Sequence, residues 1–186
     1  RQNPQGFGTP LQAWSVLGFS ANPRLDWNLV WENPQGFTEG TNVVPWSMDC
    51  LSASPTLDWK LVEAYPQGLN GKHWNMYSLS SNPHLDWDFV VQNLNGLAEQ
   101  MWNLDGFSRN VNLNWNLVRE HPYGFCDQPW NVVKLSQNKS LCWDFVLQHP
   151  EGLGGQGWNI FEISKHPCLD WNFVRHHPQG LADQPW

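Results

Sequence analysis

Three histidines, His121, His149 and His177, stand 28 residues apart, each just before a proline. Imidazoles in a regular column are a metal-binding pattern if their rings converge. Elements that recur at such a period pack about 8–10 Å apart, whereas zinc needs donor atoms about 2 Å away. The same position holds Asn33, Tyr65 and Asn93 in other copies, so hydrogen bonding at a helix end is the better reading. His176 and His177, with His166, form a denser cluster that also lacks ligand spacing. Asp26, Asp58, Asp86 and Asp170 form a second column, with Asn114 and Cys142 in the remaining copies. Carboxylates serve as general acids and bases only beside a reacting partner, and no such partner recurs at a fixed distance. Ser20, Ser52, Ser80, Ser108, Ser136 and Ser164 form a third column outside any GxSxG setting; they read as backbone-bonding hydroxyls at a helix end. The four cysteines, Cys50, Cys126, Cys142 and Cys168, make no CxxC pair, and a contact between Cys142 and Cys168 is left open. Asn138-Lys139-Ser140 fits a glycosylation sequon. The sequence therefore assigns no catalytic residue, no metal and no cofactor, and the chain reads as a non-enzyme.

All of these columns follow one beat. The frame Leu85-Asp86-Trp87-Asp88-Phe89-Val90 returns around Trp27, Trp59, Trp115, Trp143 and Trp171. A second tryptophan recurs at 14, 46, 74, 102, 130, 158 and 186, so only Trp31 of the 14 tryptophans lies off the beat. The step is 28 residues after one first step of 32, the signature of a tandem-repeat array. Repeats begin near Trp14, Trp46, Trp74, Trp102, Trp130 and Trp158. Residues 1–186 read as one array, with the residues before Pro10 as the tail of a preceding repeat and its connector. Because both ends fall inside a repeat, the sequence reads as a window on a longer chain.

Each unit has two halves. In the first, apolar residues fall at the tryptophan and two and five positions later, as in Trp130, Val132 and Leu135, a helical spacing. Asp127 and Asp183, ahead of Gln-Pro-Trp, fit an N-cap with proline in the first turn. Asn-Pro at 22–23 and 82–83 fits a stop. In the second half the Asp column, with Asn114, fits N-caps, and Leu85 with Val90 fits a hydrophobic staple. Cys142 removes that cap at a cost of about 1 kcal/mol. Pro34, Pro66, Pro122, Pro150 or Pro178 ends this helix, and a glycine two residues later, as at Gly124, fits a turn with positive φ. Cap, staple and stop together predict an all-α fold, an α-solenoid of about six 28-residue pairs of short helices. Leu-Asp-Trp-Asn-Leu also alternates as a half-buried strand does, which keeps a β-containing solenoid as the alternative. Both tryptophan columns fall on the apolar faces and are expected in the core. The first repeat carries four extra residues within Thr38 to Val44, and insertions in such arrays often lie on the binding face.

A net charge of −7 gives no basic footprint for a phosphate backbone, and the basic residues are scattered over several repeat positions, which disfavours a modular nucleic-acid reader. No apolar run reaches the length of a membrane span, so membrane insertion is not expected. Partner contacts are expected where the copies differ: Arg24 and His84 before the Leu-Asp-Trp frame, Lys60 after it, and the column of Trp31, Arg119 and Arg175.

The string Trp-Asn-x-x-x-Leu-Ser-x-Asn-Pro-x-Leu-Asp-Trp, complete over Trp74 to Trp87, resembles the tryptophan-rich Asn-Pro tandem repeats of giant DNA virus proteins. The resemblance covers nearly the whole chain. It implies a non-enzymatic, particle-associated array and leaves the compartment open between a virion and a cell interior. The function expected is structural: a scaffolding repeat protein packed against other proteins of a larger assembly. A soluble adaptor for peptides or proteins is the alternative.

Overall fold

Helices of five or six residues are too short to persist alone in water, so each must be capped and packed by its neighbours. The structure, a computed structural model, describes residues 15–39, 41–182 and 184–186. The connector before Pro10, the repeat start at Trp14 and the expected cap Asp183 lie outside the described residues. The first helices of the repeats are α1 (Val16–Ser20), α3 (Met48–Ala53), α5 (Met76–Ser80), α7 (Leu104–Arg109), α9 (Val132–Gln137) and α11 (Ile160–Ser164). The second are α2 (Trp27–Glu32), α4 (Trp59–Ala64), α6 (Trp87–Gln92), α8 (Trp115–Glu120), α10 (Trp143–Gln148) and α12 (Trp171–His176). The described chain is thus mostly helical, and the tryptophan of the Leu-Asp-Trp frame, or of its Leu-Asn-Trp and Leu-Cys-Trp variants, opens a helix in every repeat instead of lying in a strand.

The chain divides into two compact units after His84, which we call unit 1 and unit 2. In unit 1 the first helices pack in succession, α1 on α3 and α3 on α5; in unit 2, α7 packs on α9 and α9 on α11. The core of unit 1 is built on Trp46, Leu51, Leu61 and Leu79. That of unit 2 is built on Trp102, Phe107, Trp130, Phe145 and Trp158.

Second-helix capping follows the expected chemistry. Asp58 accepts from Lys60 N–H at 3.1 Å, Asp86 from Phe89 N–H at 3.0 Å and Asp170 from Asn172 N–H at 2.8 Å. Asn114 does the same for Asn116 at 3.0 Å, whereas Cys142 makes no cap bond. Cys142→Asp is therefore expected to raise stability by about 1 kcal/mol, read as a higher midpoint in urea. The Arg119 guanidinium, 3.1 Å from the Cys142 sulfur, would also face the new carboxylate.

The first helices are capped differently from expectation. Their N-caps are Ser15, Ser47, Asn75, Asn103, Asn131 and Asn159, each the residue after the tryptophan position. Asp127 instead sits at φ +53° in the turn spanned by the Phe125–Gln128 bridge. That turn ends before the helix begins, so its carboxylate has no helical N–H to cap. Proline is not required for the stop. Helices α7 and α9, where Val111 and Lys139 replace the proline, run one residue beyond the counterpart of the α5 end, and α3 runs equally far with Pro55 in place.

The residue that marks this stop in most repeats is asparagine, and it joins one repeat to the next. Asn82, 2 % exposed, donates through Nδ2 to Ser52 O at 3.3 Å and Ser54 O at 2.9 Å, while Oδ1 accepts from His84 N–H at 2.9 Å. Asn138 repeats this on Ser108 O, Asn110 O and Ser140 N–H in unit 2. At His166 the ring takes over: Nε2 lies 2.8 Å from Asn138 O, which fixes the proton there, and Nδ1 accepts from Cys168 N–H. The sequon asparagine is thus buried, its amide nitrogen already bonded twice, and the folded chain does not offer it for glycosylation. Asn138→Leu takes the partner from the buried Ser108 carbonyl and the Ser140 N–H and removes one of two bonds to Asn110 O, which keeps Leu113 N–H. A loss of about 3 kcal/mol is therefore expected, measured by equilibrium unfolding.

The serine column stitches in parallel. Ser108 Oγ donates to Leu104 O at 2.7 Å and accepts from Asn131 N–H at 3.1 Å; Ser136 does the same for Val132 O and Asn159 N–H. In unit 1, Ser20 Oγ accepts from Ser47 N–H across the longer repeat. The register survives because the extra residues form a hairpin, β1 (Phe37–Glu39) against β2 (Asn42–Val44), with Phe37 opposite Val44. The shorter repeats close the same gap with single bridges such as Leu69–Lys72 and Phe125–Gln128. The expected glycine precedes each closure, with φ from +90° at Gly152 to +99° at Gly68.

The two tryptophan columns differ. The first is core: Trp102 is 0 % exposed, and its indole N–H donates to Asn93 O at 2.7 Å, closing the C-terminal end of α6. Trp46, Trp74, Trp130 and Trp158 make the equivalent bond. The second column is mostly half-buried, because its rings open a helix and lie against the following repeat. Trp59 Nε1–H donates to His84 O and Trp87 Nε1–H to Asn112 O, each at 2.8 Å.

Candidate protein-contact surface

Among the described residues, no three of His, Cys, Asp and Glu gather as a metal site would require. The histidine column lies along helix ends. His177 Nδ1 is 2.8 Å from Phe173 O, and the His149 ring lies 4.4 Å from that of Phe145. All four cysteines are free thiols. Burial pushes the Cys126 thiol up, against the lowering influence of the Trp102 backbone N–H, and its sulfur donates to Leu94 O at 3.0 Å.

The six residues singled out by sequence do not gather. Trp31 is half-buried within unit 1, with its indole N–H 2.8 Å from Asp58 Oδ2 and its ring 5.9 Å from Tyr65. Arg24, Lys60 and His84 are exposed in the same unit. In unit 2 the exposed Arg119 and Arg175 bond back to Asn116 and Asn172 of their own helices. Among the described residues no hydrogen bond or ion pair joins any two of the six.

What the structure exposes instead is an apolar column that the sequence reading missed, the residue three after each first-column tryptophan. In unit 1 it holds Leu17, 63 % exposed, Asp49 and Tyr77; in unit 2 it holds Asp105, Val133 and Phe161, 70 % exposed. The aspartates of this column are tied to the next repeat, Asp49 Oδ1 accepting from Asn75 Nδ2 at 2.7 Å and Asp105 Oδ1 from Asn131 Nδ2 at 2.5 Å. The apolar members have no such partner, and an exposed apolar residue recurring on one helix position was the available signal. Lys165 covers part of Phe161, with its ammonium 4.6 Å from the ring centroid and 2.8 Å from Glu162. That lysine bond holds the Glu162 carboxyl below its ordinary range.

In unit 1 the column borders an open groove of about 480 Å³. Leu17, Val44, Pro45 and Met48 give it an apolar lining, and Asp49 and Lys72 add one charge of each sign. Val44 belongs to β2, so the inserted hairpin contributes directly to this surface. Among the described helices none is long and apolar enough to cross a membrane. No protein-family model, no curated protein and no solved structure matches the chain.

Proposed function

We propose that this chain is a non-enzymatic scaffolding array, an α-solenoid whose variable columns pack against other proteins of a larger assembly. One observation carries the reading. The polar residues that recur in most repeats are occupied by caps and by bonds between repeats, as at Asp86, Ser108 and Asn138. What is left to address a partner is what differs between copies, including the exposed apolar residues Leu17, Tyr77, Val133 and Phe161. Apolar side chains at the centre of a contact and polar ones at its rim are the usual anatomy of a protein interface. The resemblance to tryptophan-rich Asn-Pro repeats carries the same expectation of an assembly component. The groove in unit 1 favours a second reading, a soluble adaptor that takes peptides.

A photo-crosslinking residue at Tyr77 or Phe161 of the protein, in its native setting, separates these readings. Stoichiometric crosslinks to a fixed set of proteins are the scaffold result. Varied, substoichiometric partners would transfer the assignment to the adaptor. Crosslinks to nucleic acid, lost steeply as salt rises, would overturn both.

A further inference from the structure

In unit 2 the backbone groups at the corresponding helix entrances are taken up by glutamine side chains. Gln128 reaches back to the start of its repeat, where Nε2–H donates to Trp102 C=O at 2.7 Å and Oε1 accepts from Leu104 N–H at 3.2 Å. Gln156 makes the donor half of that clamp on Trp130 C=O at 3.1 Å. Both backbone groups stand at the entrance of a short helix, where the N–H has no partner within the helix; a carboxamide, donor and acceptor in one plane, satisfies both.

In unit 1 the glutamine is replaced by Lys72. It stands 26 residues after Trp46 and 24 after Met48, the separations of Gln128 from Trp102 and Leu104. An ammonium has donors only, so it cannot take up the Met48 N–H. No described residue bonds Met48 N–H or Trp46 C=O. Trp46 and Met48 line the groove together with Lys72, beside the apolar wall of Leu17, Val44 and Pro45.

We propose that this groove receives a glutamine side chain from an extended segment of a partner protein. Its carboxamide donates to Trp46 C=O and accepts from Met48 N–H, as Gln128 does within unit 2, and an aliphatic neighbour lies against Leu17 and Val44. Glutamate fits poorly, because an ionised carboxylate offers no donor to the Trp46 carbonyl. The inference rests on reading the array as a protein-contact surface and names the chemistry of one contact.

The test titrates the intact chain with a blocked pentapeptide carrying glutamine between leucine and proline, following the Met48 amide by NMR. The glutamine peptide is expected to shift that amide and to bind about ten-fold or more tighter than its norleucine and glutamate counterparts. Lys72→Gln supplies the carboxamide from within and is expected to weaken binding about ten-fold or more, whereas Lys72→Met, which removes only the charge, stays within about two-fold. Gln128→Lys is expected to open a second site, reported by the Leu104 amide. Equal affinity for the three peptides, absence of binding, or Lys72→Gln binding like the parent each overturns the assignment. Self-association that is lost in Lys72→Gln overturns it too, by making a second copy the occupant. Crosslinks from Tyr77 or Phe161 that persist alongside any of these failures leave the scaffold reading standing without the groove.

Discussion

Trp102→Ala is expected to destabilise the protein by about 4–5 kcal/mol, the upper part of the range for truncating a buried aromatic side chain. The ring is fully buried, lies 5.5 Å from Phe107 and meets Phe89 edge-on at 6.3 Å. Its indole N–H also donates to the carbonyl of Asn93, so truncation opens a cavity and removes one of two bonds at a helix end, the Gly96 N–H keeping the other. Trp87→Ala, in the half-buried column, supplies the comparison. It loses a 5.3 Å contact with Phe107 and a bond to Asn112 O, but much of the space it leaves is open to water. About 2 kcal/mol is expected there, part aromatic truncation and part a lost hydrogen bond. Equilibrium unfolding in urea measures both, and similar losses would mean that the two columns are equally core.

Gly124→Ala is expected to cost about 3–5 kcal/mol, through a backbone conflict with no side-chain remedy. At φ +91° a β-carbon would stand 2.0 Å from the Gln128 carbonyl oxygen. That oxygen belongs to the four-residue closure that returns the chain to the next tryptophan, so relief requires moving the closure itself. Gly154 separates strain from collision. It also has positive φ, +55°, but its β-carbon would meet nothing within 4 Å. Gly154→Ala is expected to cost only about 1 kcal/mol. If the two substitutions prove equally mild, the closure is softer than its geometry implies.

What could be read from sequence was the chemistry that closes over two or three residues. The aspartate caps were legible because acceptor and N–H are neighbours, as in Asp58 and Lys60. The glycine column was legible because only a turn with positive φ explains its constancy. The same local reasoning misled at Asp127, where acid, glutamine and proline imitate a capped start, although the helix begins beyond the tryptophan with Asn131 as its cap. Asn138 read only as a sequon because its partners Ser108 and Asn110 lie about one repeat away. The glutamine clamp was invisible for the same reason: Gln128 reads as a loop residue until Trp102 and Leu104 stand over it. Of the candidate contacts, Arg24, His84, Lys60, Arg119 and Arg175 are exposed. Trp31, singled out as a contact because it lies off the beat, is half-buried on Asp58 and Tyr65, partners that belong to the next repeat and are not visible from its neighbours in sequence.

The stitches between repeats join residues only 23–30 positions apart. Such a chain has a mechanical grain. Under tension, parting the bonds around Ser108 and Asn138 frees one repeat while the bonds around Ser136 and His166 can still hold the next. Each release pays out 28 residues of slack, about 90–100 Å when extended. A chain built this way yields in steps of its own period and lengthens before it is fully unfolded.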